Sequence, residues 1–579
     1  MHTHPCSVPG PTPLEPFTSQ LTAQVLLYST RTTMTSEPAY IAISAAKKKA
    51  LVDAIPSDWR VEIPANVDNL TKFAETCGVL TDKEVEITSN YDAVGLLEQV
   101  HKGVYSSLEV TIAFCKRAAL AHQAINCCSE LFFERAYEVA KKQDEYFVKT
   151  GKPVGPLHGL PISIKDSYNL KGIDSTIGMP AYANKPEPAS SAIVDVMESL
   201  GAIMYVKTNV PQSMMVLDTE NNLIGPTRNA YSKYITAAGS SGGAGAIVAF
   251  RGSLIGMATD IGGSIRVPAY CNGSFGIKPS SGRLPYHNIK GYWPDGEDVT
   301  GVLCVDGPVT TSARDLELIV RSIAKAEPWL VDPSCARLPW VDPEPLDRGL
   351  RIGVIRGVKT YEPITSIYSS FIDKVSAAGH ELIDMELLHG DELADLATAF
   401  FKADGGEFLQ KICAMSGEPL TDAVADGGLY PCEPIDLIQF WALSHKRSNM
   451  QHEWLQYWLD TATKTKDGKP VDVILLPAQP QLPRPKEPLT SNTVILAWNT
   501  LDYPAAIFSV ETIDSNKKDY KFEFPSPVTP AEHRLEALFP EDRAKAYQGF
   551  PVGLQLVGRK QDEAGLLQAV KILEALAEK

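Results

Sequence analysis

The 579-residue chain carries 54 Lys and Arg against 70 Asp and Glu, a formal charge of -16, with 44% apolar and 21% charged residues. That balance belongs to a globular protein long enough to bury a large core, and it argues against a nucleic-acid groove, which needs clustered cations on one face. Ten cysteines without a C-x-x-C pair, and no apolar run of the ~18 to 20 residues that span a bilayer, argue against a disulfide framework, a zinc site and a membrane helix.

The first 35 residues are rich in Pro, Ser and Thr, and Arg31 is their only Lys or Arg. They have neither the charged-then-apolar order of a secretory signal nor the Arg-rich helix of a transit peptide, and they read as a disordered tail, or as upstream sequence ahead of a start at Met34, on a cytoplasmic protein. Residues 36–579 read as one domain. Helices fill its first part, 36–150: "PAYIAISAAKKKALVDAIPSDW" is helical, and residues 106–149 carry two long amphipathic helices, "SSLEVTIAFCKRAALAHQAI" and "ELFFERAYEVAKKQDEYFVK".

After residue 150 the period changes. The short apolar runs "LPISI", "AIMYV", "RIGVI", "VDVILLP" and "GLQLV" alternate with the helical segments "SSAIVDVMESLG", "TSARDLELIVRSIAKA" and "DEAGLLQAVKILEALAEK". Buried strands alternating with covering helices predict an α/β sandwich. Ser312, with Asp315 three residues on, predicts a helix start of the capping-box kind. Residues 387–470 read as a helical insertion that ends in the solvated turn "TKTKDGKPVD".

One stretch does not fit a linker: "TAAGSSGGAGAIVAFRGSLIGMATDIGGSIRVPAYCNGSFGIKP", residues 236–279, sets apolar residues between its glycines. Clustered glycines let main-chain N–H groups aim at a ligand, and in "DIGGSIR" the amides of Ile261, Gly262, Gly263 and Ser264 are placed to converge on an oxyanion. Ser240, Ser241 and Ser264 supply hydroxyls. A phosphate loop is excluded, because neither G-x-x-x-x-G-K-[ST] nor a complete G-x-G-x-x-G occurs here.

The base is the open question. Residues 239–243 formally match G-x-S-x-G, yet the preceding "RNAYSKYITAA" is no buried strand, and no histidine adjoins the turns. His158, in "GPLHGLP", reads as a packed or hydrogen-bonded loop residue. Lys165, ending the strand "GLPISIK", is the better candidate, since a lysine buried at a strand end is pushed toward its neutral form. Arg266 is a candidate cationic neighbour that would push it further. Asp166 belongs on the opposite face, because adjacent strand residues alternate.

Taken together and in order, "PVGPLHGLPISIKD", "VKTNVPQSMM", "GSSGGAGAIVAFRG", "MATDIGGSIRVPA", "FGIKPSSGRLPY", "GPVTTSARDLELI" and "GFPVGLQLVGRKQDE" resemble the blocks of the amidase signature family, with a pattern like that of fungal acetamidase-like amidases. The resemblance implies an α/β fold with a large mixed sheet sandwiched between helices, and a Ser-Ser-Lys hydrolase. By position, Ser264 matches the nucleophile, Ser240 the bridging serine and Lys165 the general base; the amides of Ile261, Gly262, Gly263 and Ser264 match the oxyanion hole. Asp260 and Arg266 match residues flanking the nucleophile, with a role in holding the turn, and Ser241 reads as a helix cap.

No metal and no cofactor is implied; the partner is a small amide, and a homodimer is the assembly the family suggests. Ala238 and Ala244 depart from the family, where Gly and Glu are frequent. Two rivals are an amidotransferase subunit that hands ammonia to a partner and a silent scaffold on the same fold; retention of all three polar residues argues against silence. Met214, Met215, Trp293 and Trp498 are apolar residues open to either a pocket or a core reading.

Overall fold

Continuous apolar runs such as "LPISI" cannot present a polar face to water, so their strands must be covered on both sides. In the computed structural model, which describes residues 37–291, 301–426, 431–484, 493–516, 518–526, 537 and 542–577, all six residues of the strand Leu160–Lys165 are buried. The tail expected over residues 1–35 and Trp293 lie outside the described residues.

Eleven strands form one sheet among the described residues: β1 (Cys128–Leu131), β2 (Leu160–Lys165), β3 (Ala202–Thr208), β4 (Ile255–Asp260), β5 (Phe275–Lys278), β6 (Val305–Thr310), β7 (Arg351–Ile355), β8 (Glu381–Met385), β9 (Val473–Pro477), β10 (Ala505–Thr512) and β11 (Pro551–Val557). Their spatial order is β1-β3-β2-β4-β6-β5-β10-β11-β9-β7-β8. The trio β3-β2-β4 is parallel, as is β9-β7-β8, while the strands from β4 through β6, β5, β10 and β11 to β9 run antiparallel. The sheet is therefore mixed, as expected.

The five strands and three helices anticipated by periodicity are present. β1, β4, β5, β6, β8 and β10 were not among them. β1 is four residues long and its second half, Glu130 and Leu131, overlaps the start of the second expected helix: the pair of helices is Ser107–Ile125 and Phe133–Thr150, with Asn126 left-handed (φ 52°) at the break and β1 between them. β6, "VDGPVT", contains the two residues that most weaken a strand reading, Gly307 and Pro308.

Residues 387–470 form the helices Gly390–Phe401, Glu407–Ser416, Asp422–Asp426 and Leu437–Asp460. Trp454 anchors the last of these, its ring 5.3 Å from that of Trp498 on the helix Thr493–Thr500. Trp498 is thus core, not pocket wall. Ser312 caps Ala313–Lys325 by accepting from the Asp315 amide, but the reciprocal bond is absent: the Asp315 carboxylate accepts from the Val94 amide and the Thr311 hydroxyl instead. All described cysteines are free, and the Cys127 and Cys128 sulfurs stand 3.8 Å apart.

Candidate active site

Lys165 closes β2 between the parallel neighbours β3 and β4, with no exposed surface. Its Nζ donates to Ser240 Oγ at 2.8 Å and to Thr259 Oγ1, on β4, at 2.7 Å. Burial pushes the ammonium down to about 8, against the opposing pull of Cys304, Asp260 and Asp166. The expected cationic help from Arg266 is not there: its guanidinium is bound to Asp260, so desolvation alone lowers Lys165. Asp166 does face away, accepting from Ser129 Oγ at 2.5 Å, from Thr176 Oγ1 at 2.9 Å and from the Ile177 amide.

Ser240 lies in an irregular segment that backbone contacts hold in place. A Cβ on Gly239 would stand 2.6 Å from Val216 O, so only glycine allows the two chains to meet there. Gly243, in the first turn of the helix Gly242–Ala249, is likewise pressed on the Asn209 backbone, where a Cβ would be 2.4 Å from the amide nitrogen. The Gly239–Ser240 peptide is cis, and Ala238 before it is left-handed at φ 61°. Ser241 stands at the N-cap of that helix as expected, but its hydroxyl does not cap; it donates to Thr259 O at 3.4 Å. The segment before it, 227–238, contains no strand beyond the single Arg228–Thr236 bridge, so the strand-turn-helix elbow of a histidine triad is missing.

The turn after β4 is organised by one buried carboxylate. Asp260 accepts from the amides of Gly263 (2.8 Å) and Ile265 (3.2 Å), from Asn499 Nδ2 (2.8 Å) and from Arg266 Nε and Nη2 (both 3.1 Å). Arg266 and these donors hold its carboxyl far below the usual range despite complete burial. Arg266 in turn reaches Ile495 O and Gln555 Oε1 at 3.0 Å, tying the turn to two distant elements. Of the amides expected to form an oxyanion hole, that of Gly263 donates to Asp260 and is withdrawn from the set.

Ser264, 5% exposed, sits in this turn before the short helix Arg266–Cys271. Beside it, a Cβ on Gly262 would lie 3.1 Å from Leu496 Cδ2 and 3.3 Å from Phe401 Cε2, so these two apolar side chains wall the approach to the turn. Sequence reasoning missed both, because they belong to helices far along the chain. It missed Thr259 too, although strand alternation puts Thr259 on the face opposite Asp260. Cys304 lies beside Lys165, its thiol pushed up to about 11 by burial. His158 packs on Phe147 and accepts from the Val154 amide at 3.2 Å, a structural residue. No group of three or more His, Cys, Asp or Glu able to hold a metal occurs among the described residues.

A family model described as Amidase matches residues 109–567. The chain belongs to the amidase family. The amidase is 35% identical to the acetamidase of Emericella nidulans over 534 residues, covering 90% of this chain and 95% of that protein. The acetamidase of Aspergillus oryzae is 34% identical, with 90% and 96% covered. Among solved structures, a fatty acid amide hydrolase superposes with a TM-score of 0.81 at 29% identity, over 93% of this chain and 95% of the other. A bacterial aryl acylamidase of the amidase signature enzymes shares the fold, with a TM-score of 0.63 at 20% identity. The amidase is a hydrolase acting on amides, with small-molecule substrates, and no described helix is long and apolar enough to cross a membrane.

Proposed function

We propose that the amidase cleaves small carboxylic amides to the acid and ammonia or an amine through an acyl-enzyme on Ser264, with Ser240 as proton bridge and Lys165 as general base. The observation that carries this reading is the 2.8 Å contact between Lys165 Nζ and Ser240 Oγ, buried and without a carboxylate on the lysine. A lysine near 8 is neutral in a useful fraction at mildly alkaline pH, and a neutral amine accepts a proton where an ammonium cannot.

In the first step neutral Lys165 takes the Ser240 hydroxyl proton while Ser240 takes that of Ser264, and the Ser264 oxygen forms its bond to the amide carbonyl carbon. The carbonyl oxygen becomes an oxyanion held by the amides of Ile261, Gly262 and Ser264. The proton then returns along the same path to the amide nitrogen, the C–N bond breaks and the amine leaves. Water, deprotonated by the same relay, attacks the ester and releases the acid and Ser264.

Phe401 and Leu496 beside Gly262 suit an apolar acyl group entering next to the oxyanion amides. The likeness to acetamidases favours a short one. Labelling with a fluorophosphonate followed by peptide mapping tests the assignment. A single adduct on Ser264 that is lost in Lys165→Ala is expected, with acetamide turned over by the wild type; an adduct elsewhere, or full labelling of Lys165→Ala, overturns it.

A further inference from the structure

Between the helix Glu407–Ser416 and the loop at residues 212–222 lies a buried polar cluster that the proposed chemistry does not use. Its centre is Glu418, 5% exposed. Oε2 accepts from Gln212 Nε2 at 2.8 Å and Asn222 Nδ2 at 3.2 Å, and Oε1 faces the Ser416 hydroxyl at 3.5 Å. The same two amides also donate to Pro419 O, at 2.9 and 2.7 Å, and Gln212 Oε1 accepts from the Thr421 amide at 2.8 Å. Every hydrogen-bond partner of the carboxylate among the described residues is neutral.

Gln212 and Asn222 are the two ends of one loop, which the Gln212 amide further closes by donating to Glu220 O at 2.9 Å. The middle of that loop is the cradle of Ser240. Thr219 Oγ1 donates to Ala238 O at 2.7 Å and accepts from the Gly242 amide at 3.2 Å, Asp218 Oδ1 accepts from Thr236 Oγ1 at 2.6 Å, and the backbone at 216–218 abuts Gly239. The loop thus grips the chain on both sides of Ser240, and Glu418 grips the loop at both ends.

We propose that Glu418 is a positioning residue for amide hydrolysis: by latching both ends of the 212–222 loop it fixes Ser240 against Lys165. The inference rests on the reading of Ser240 as proton bridge. Removing the carboxylate takes from each amide one of its two acceptors, leaving Pro419 O alone to hold both, and opens a gap where the loop ends were joined. Burial pushes the Glu418 carboxyl up to about 7, so it takes up a proton near neutrality; the latch tolerates that proton, because Oε1 can carry it while Oε2 keeps accepting. Glutamine, with its oxygen in the Oε2 position, should therefore replace Glu418, and alanine should not.

The test compares wild type with Glu418→Ala, Glu418→Gln and Gln212→Ala, each confirmed as folded by thermal melting, by the rate of fluorophosphonate labelling at Ser264 and by kcat and KM on acetamide. Glu418→Ala is expected to slow labelling and kcat about tenfold while KM stays within about twofold, and Gln212→Ala, which breaks the latch from the loop side, to match it. Glu418→Gln is expected to stay within about threefold of wild type. Wild-type labelling in Glu418→Ala, or a Glu418→Gln as slow as alanine, overturns the latch. If wild type itself fails to label at Ser264, the reaction scheme falls and not the latch, which hydrogen exchange then decides: amides at 212–222 exchanging faster in Glu418→Ala are expected, and unchanged exchange overturns it.

Discussion

Thr259 Oγ1 accepts a hydrogen from Lys165 Nζ at 2.7 Å, on a β-strand that continues directly into the turn carrying Ser264. A neutral amine has two N–H groups and one lone pair, and proton abstraction needs the lone pair aimed at Ser240. A second acceptor that binds one N–H turns the lone pair that way. Thr259→Val, which keeps the shape and removes the oxygen, is expected to lower kcat roughly tenfold. Losing an acceptor also disfavours the ammonium, so the rise in activity that follows deprotonation of Lys165 should move to lower pH than in the wild type. A profile displaced upward or unchanged would count against this role for Thr259.

The pH dependence of the wild type has a definite sign. Lys165 is lowered from an ordinary value near 10.5 to about 8, so activity should rise as pH climbs through about 8 and level above it. The same shift makes folding easier with rising pH between about 8 and 10.5, where the unfolded lysine holds a proton that the folded one has released. Lys165→Ala should lose roughly 10²- to 10⁴-fold in rate. A limb centred near 6.5 would point to histidine instead.

The apolar walls beside Gly262 should set acyl length. Leu496→Ala, and the milder Phe401→Leu, open space beside Gly262 and are expected to raise kcat/KM for butyramide relative to acetamide by roughly tenfold, the worth of one or two methylenes in a fitted pocket. A panel of straight-chain amides measures this. An unchanged ratio in both variants would place the acyl group elsewhere.

Ala238 is left-handed at φ 61°, a conformation that costs an L-residue about 1 kcal/mol and glycine little. Ala238→Gly is therefore expected to be neutral or to stabilise by up to about 1 kcal/mol in urea denaturation, with labelling of Ser264 retained. A loss of stability would mean that the Ala238 methyl packs more favourably than its backbone is strained.

What the amino-acid order determined by itself was everything carried by local pattern. The apolar runs that became β2, β3, β7, β9 and β11, the α/β class, and the glycine-serine stretch holding Ser240 and Ser264 are all periodicity or composition, which need no partner to be read. Lys165 was legible as a lysine ending a buried strand. The tertiary structure decided which long-range groups meet. Arg266 was a plausible neighbour for Lys165 until Asp260 claimed it, and Ser241 a plausible cap until its hydroxyl turned to Thr259 O. Phe401 and Leu496 come to Gly262, and Glu418 to Gln212, across about 140 to 235 residues of chain, and no spacing rule spans such gaps. Periodicity tells which face of an element is buried; only the packed fold tells against what.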